Sequence, residues 1–208
     1  MEPNEVEGYC RTLTDLREEY KKDIAIKIGF ECEYYPAVFE KTIAFMQDYP
    51  IDYLIMGQHN LDNEYDTHDS VYAGSDSEER LEKYIHQVLT GMETGKYTYL
   101  AHPDMYRFTG EDSVYEAHIR PFCEKLKALG IPVEFNLLGF AEGRSYPSDR
   151  FFRIAKSVGN DVIIGCDAHT PKAVGNPEVV TRAEAYLKEK LGITPIPDVR
   201  LRPVVEGK

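Results

Sequence analysis

The chain has 208 residues, 24 of them basic and 36 acidic, for a formal net charge of −12; 42% are hydrophobic and 29% charged. This composition suits a folded globular domain and excludes general disorder. The acidity argues against a general binder of nucleic acid or anionic membrane, and leaves open a small phosphorylated substrate held by metals.

No segment approaches the ~20 apolar residues of a membrane span, and the acidic start Met1–Cys10 lacks the apolar run of a signal peptide. Cys10, Cys32, Cys123 and Cys166 form no CxxC pair, so neither a disulfide framework nor a zinc ribbon is expected. The expectation is a single domain over residues 1–208 in a reducing, cytoplasmic setting.

Leu13 to Lys22 reads as the end of a helix begun near Glu5. The β-branched run from Ile24 ends at Glu31 and predicts a strand. Pro36 to Asp48 predicts a short helix and Ile51 to Met56 the next strand, which leads into Gly57-Gln58-His59. The polar stretch Asp62 to Ser77, at ~16 residues, exceeds an ordinary connection and reads as a functional loop. Ser77 and the two glutamates after it mark a helix start, with the helix running to Met92. Tyr97 to Leu100 predicts a strand that ends in Ala101-His102-Pro103-Asp104. Ser113 to Leu129 predicts a helix, Ile131 to Asn136 a strand and Pro147 to Val158 a helix. Val162 to Asp167 predicts a strand leading into Ala168-His169. Pro177 to Leu191 predicts the last helix, and the Pro-rich tail from Thr194 packs as coil.

Five strand-then-helix units in succession predict an α/β fold with a parallel sheet. Both barrels and open sheets of this kind place their chemistry at the C-terminal ends of the strands. Glu31, His59, His102, Asn136, Asp167 and His169 all fall at such ends, whereas no GxGxxG or GxxxxGK[ST] follows any strand. Three imidazoles and two carboxylates form a candidate site for divalent zinc, iron or manganese. Paired ions of this kind activate water for phosphoryl transfer. Asp167 and His169 are two residues apart, so both reach one face if the strand continues.

Gly29-Phe30-Glu31-x-x-Tyr34, Gly57-Gln58-His59, Ala101-His102-Pro103-Asp104, Glu134-Phe135-Asn136-x-x-Gly139 and Gly165-Cys166-Asp167-Ala168-His169 stand in a fixed order. Together they resemble successive motifs of the PHP (polymerase and histidinol phosphatase) superfamily, nearest its histidinol-phosphate phosphatases. Tyr146-Pro147-Ser148 resembles them too. The resemblance runs from about Glu5 to Leu191. It implies a distorted TIM-like barrel of seven βα units with two or three divalent metals (zinc, manganese or iron). It also implies hydrolysis of a phosphate monoester, histidinol phosphate of histidine biosynthesis. Carried over residue by residue, it makes Glu31, His59, His102, Asp167 and His169 metal ligands, with Asp167 and His169 also catalytic.

Two motifs of the resemblance, a His-x-His and an Asp-His pair on the first two family strands, have no counterpart, since no His precedes His59. The expectation is a PHP-type barrel lacking its first two βα units, roughly 50–80 residues. Such a barrel would hold fewer metals than the family, and would either associate as a homo-oligomer through its open edge or be weakly stable.

Among other residues, Arg107 is either a phosphate contact or a surface Arg paired to Glu111 or Asp112. Arg144 stands where a basic residue of the family comes sooner after Gly139. Asn136 orients a ligand, contacts substrate or caps its strand. His68, in the long loop, touches substrate or is solvated. Asp104 orients His102 or opens the turn after Pro103, and Glu33 is set behind Glu31 because Glu31 fits the motif. Two readings remain: a phosphomonoesterase, for histidinol phosphate or another phosphoester, and a non-catalytic remnant that binds a metal or anion or serves in assembly.

Overall fold

Short apolar strands alternate with amphipathic helices, and this pattern favours parallel pairing, because each helix carries the chain back to start the next strand in the same direction. In the computed structural model, which describes residues 2–62 and 70–204, the strands are β1 (Gly29–Glu31), β2 (Tyr53–Met56), β3 (Tyr97–Leu100), β4 (Val133–Asn136) and β5 (Val162–Gly165). They form one parallel sheet in the order β1-β2-β3-β4-β5. The helices are α1 (Pro3–Glu19), α2 (Phe39–Met46), α3 (Glu78–Glu93), α4 (Asp112–Ala128), α5 (Leu137–Glu142), α6 (Asp149–Val158) and α7 (Pro177–Tyr186). The α/β architecture with a parallel sheet is as the sequence predicts. The ladder does not close among the described residues, which hold five of the seven strands that the resemblance implies.

Alternation decides the two faces of the sheet. Leu54 with Met56 and Val133 with Phe135 alternate into the core, and Tyr97 and Leu100, three residues apart, are also buried because the β2–β3 register shifts between Leu54 and Met56. The α3 residues Leu81, Tyr84, Val88 and Met92 recur at helical spacing and enter the same core. The other face carries Glu31, Glu134 and Asn136 toward the C-terminal ends of the strands.

Several boundaries differ from expectation for local reasons. Of the run from Ile24, only Gly29–Glu31 joins the ladder. Ile28 N–H is taken by the Asp52 carboxylate at 2.6 Å, and residues 24, 25 and 27 lie in solvent. The helix expected from Pro147 starts at Asp149, because Ser148 is its N-cap and accepts from Phe151 N. The short helix α5 was not predicted; six residues with Gly139 inside give no readable period. The last helix keeps α-helical form to Tyr186 and ends in a π-helical turn over Leu187–Leu191, closed by Gly192 at φ 65°. The tail packs as expected. Ile196 N donates to Val162 O on the edge of β5, Arg202 N donates to Thr98 Oγ1 on β3, and Val204 is buried.

Candidate metal centre

A parallel sheet puts every strand's C-terminal end on one side, so residues far apart in the chain meet there. Glu31 ends β1, His59 follows β2 and His102 follows β3. His102 Nε2 lies 2.9 Å and His59 Nε2 3.4 Å from the same oxygen, Glu31 Oε1. The three ligand atoms lie within 4.8 Å of one another. Gly57 is what admits the Glu31 carboxylate: a Cβ there would sit 1.7 Å from Oε1.

Burial acts to raise the pKa of Glu31, but the hydrogen bond from His102 and the nearby imidazoles outweigh it and hold the carboxyl below its usual range. For His102, burial disfavours the charged ring, and Glu31 with the charges of Glu134 and Asp167 overrides it and raises the pKa. Each group thus favours the charged state of the other.

Asp167 ends the β5 segment with its side chain mostly buried. Its Oδ2 accepts from Asn136 Nδ2 at 3.1 Å, and Asn136 also donates to Glu134 Oε2 at 3.0 Å. The Oδ1 of Asn136 caps α5 by accepting from Gly139 N. Asn136 therefore both caps a helix and orients a carboxylate of the cluster. His102 and Asp167 have φ of 28° and 45°, a left-handed backbone that costs a non-glycine residue and is held by its surroundings.

His169 stands at the rim, its side chain 72% exposed, with Nδ1 3.4 Å from Asp167 Oδ1. It lies outside the tight trio of donors but lines the same cavity, of about 510 Å³. Arg144 lines this cavity as well, donating to Glu142 and to the Tyr146 hydroxyl at 2.9 Å. Arg107 does not: it is exposed, its side chain lies along Gly74, and it is absent from the cavity lining. His68 lies outside the described residues. Asp104 makes no hydrogen bond to His102; its Oδ2 accepts from Ser148 N at 2.5 Å, so it braces the α6 cap instead.

Two carboxylates were missed or set aside in the sequence. Glu33 Oε1 accepts from His59 N at 2.5 Å and Asn60 N at 3.0 Å, fixing the loop that carries His59. Glu134 is 3% exposed and sits among the site residues. The Glu-x-Asn alternation of β4 was the available signal, because it puts Glu134 on the face of Asn136. Tyr146 and Tyr72 complete the aromatic wall, with Tyr146 5.6 Å from the His102 ring and 6.3 Å from Tyr72.

One carboxylate and two imidazole nitrogens converging at this spacing suit a divalent cation. The buried Nδ1 of His102 has no hydrogen-bond partner among the described residues, so Nε2 is the nitrogen presented to the trio.

The parallel sheet, with this cluster at the C-terminal ends of its strands, is an α/β fold shared with solved histidinol phosphatase structures. The histidinol-phosphate phosphatases are what the chain is similar to. A Deinococcus radiodurans protein named "Probable histidinol-phosphatase" is 24% identical over 194 residues, covering 84% of this chain and 69% of that protein. The solved histidinol phosphate phosphatase HisK of Lactococcus lactis, complexed with zinc, L-histidinol and phosphate, matches with a TM-score of 0.68 at 19% identity. That match covers 96% of this chain and 78% of HisK. The HisK structure from Listeria monocytogenes matches at 0.67 and 18% identity, covering 85% and 76%. No protein-family model matches the chain. No described helix is long and apolar enough to cross a membrane.

Proposed function

We propose that the chain is a metal-dependent phosphomonoesterase acting on histidinol phosphate, releasing L-histidinol and phosphate. The observation that carries this reading is the convergence of Glu31, His59 and His102 on one point, with Asp167 held beside them through Asn136. The zinc, L-histidinol and phosphate in the Lactococcus relative support the choice of metal and substrate.

In this reading Glu31, His59, His102 and Asp167 hold the divalent cation, and His169 approaches from the rim. When bound, such a cation polarises phosphoryl oxygens and lowers the pKa of water. The chain's own groups do the rest. Arg144, fixed by Glu142 and Tyr146, offers a planar fork to the phosphate. Tyr72 and Tyr146 give the organic part of the substrate an aromatic wall, whose ring faces suit its cationic amine. His169, exposed and tied to Asp167, is placed to hand a proton to the leaving alkoxide.

The test is phosphate release from histidinol phosphate by the 208-residue chain with added zinc, beside Asp167→Asn and His102→Ala. Turnover by the parent chain and none by either variant, with unchanged circular dichroism, supports the reading. An inactive parent chain, or full activity in both variants, sinks it.

A further inference from the structure

We infer that Glu134 is the positioning residue of the centre: one buried carboxylate oxygen locks the ends of three strands into the metal-binding arrangement. This rests on the metal-dependent reading above.

Glu134 lies on β4 between the two strand ends it serves. Its Oε2 accepts from His102 N at 2.9 Å and from Asn136 Nδ2 at 3.0 Å. The same Asn136 amide reaches Asp167 Oδ2 at 3.1 Å. The ends of β3 and β4 thus share one acceptor, Glu134 Oε2, and the Asn136 amide that it holds also donates to Asp167 in the segment after β5. Its targets need holding, since His102 and Asp167 are the two cluster residues with left-handed backbones.

The position is costly, which argues for a role. A carboxylate at 3% exposure loses its hydration, and an apolar side chain would fill the space without that cost. The neighbouring strand also makes room for it: a Cβ on Gly165 would lie 1.7 Å from Glu134 Oε1. Gly165 is not at positive φ, so this clearance, and not a turn, is what the glycine supplies. Outer partners that orient metal ligands are worth about 10–100-fold in affinity.

The experiment measures the zinc dissociation constant of the metal-stripped chain by chelator competition, together with hydrogen exchange at the His102 amide. The variants are Glu134→Ala, Glu134→Gln, Gly165→Ala and, as a stability control in the helical layer, Leu126→Ala. Glu134→Ala should weaken zinc by about 10–100-fold and expose the His102 amide to exchange. Glu134→Gln keeps an acceptor at the same place and should restore both to within a few-fold of the parent. Gly165→Ala, which leaves Glu134 in the chain but displaces its carboxylate, should reproduce the loss, and it carries the test if Glu134→Ala does not fold.

Parental zinc affinity in Glu134→Ala or Gly165→Ala overturns the inference. So does a Gln variant as weak as the Ala variant, or an equal loss of affinity in Leu126→Ala. A parent chain that takes up no zinc overturns the metal reading and this inference with it, and is recognised because the defect is already in the parent.

Discussion

His102 Nε2 and Glu31 Oε1 lie 2.9 Å apart although 71 residues separate them, with all of β2 between their strands. Without a cation the pair favours a charged imidazole against a charged carboxylate, with His102 buried and Glu31 partly exposed; a metal bound through Nε2 would displace that proton. Replacing Glu31 by Gln keeps the shape and removes the charge. Zinc affinity should fall by more than the roughly 10–100-fold typical of an outer partner. Isothermal titration of the metal-stripped variant checks this, and unchanged zinc uptake would remove Glu31 from the ligand set.

Gly57→Ala tests the same carboxylate without touching any candidate ligand. The added methyl would meet Glu31 Oε1 at 1.7 Å, so the side chain must leave its place. Phosphatase activity and zinc affinity should both drop at least tenfold, with a stability loss of about 1–3 kcal/mol from overpacking. Chemical denaturation read beside activity separates the two effects.

Arg144→Ala should act on substrate binding. Arg144 lines the cavity and is held by Glu142 and the Tyr146 hydroxyl. Losing a two-pronged contact to phosphate should raise KM for histidinol phosphate about tenfold or more. Zinc affinity should stay as in the parent, because Arg144 is not among the donors. An unchanged KM would assign Arg144 to bracing Tyr146 alone.

Asp104 predicts a pH dependence of stability. Burial pushes its pKa from 3.8 up to about 6, against the pull of the Ser148 hydrogen bonds. With the folded pKa above the unfolded one, the folded state binds the extra proton between these values. Stability is therefore greater below about pH 4 as far as this group is concerned, and declines as pH rises to 6, by up to about 3 kcal/mol. Asp104→Asn keeps an acceptor for Ser148 N and should flatten that part of the profile. Urea melts of the metal-free chain from pH 4 to 7 measure it, and an identical slope in both chains refutes the assignment.

The strand-end positions of Glu31, His59, His102, Asn136 and Asp167 were legible because each mainly apolar run gives way at its end to a polar residue. In a parallel sheet that pattern has one consequence, a polar cluster on one side. His169 was legible as part of Asp167-x-His169, but its exposure was not, because the strand ends at Gly165 and the chain turns at Asp167. Arg107 read either as a phosphate contact or as a surface Arg paired to Glu111 or Asp112; it is exposed and is not among the described residues that line the cavity. Glu134 read as part of a motif without a role, since nothing in a single strand tells which neighbour's amide it will meet.

By itself, the sequence determined what alternation and spacing can encode: an α/β chain, a parallel sheet, and which polar residues stand at the ends of its strands; the side-by-side order of the strands came from the structure. Only the tertiary structure decided how those ends are joined. The 2.9 Å contact of His102 with Glu31, the bracing of Asp167 through Asn136 and the two glycine clearances at Gly57 and Gly165 all cross between strands. Such contacts depend on twist, register and the reach of individual side chains, quantities set by the packing of the whole sheet and not by any local run of residues.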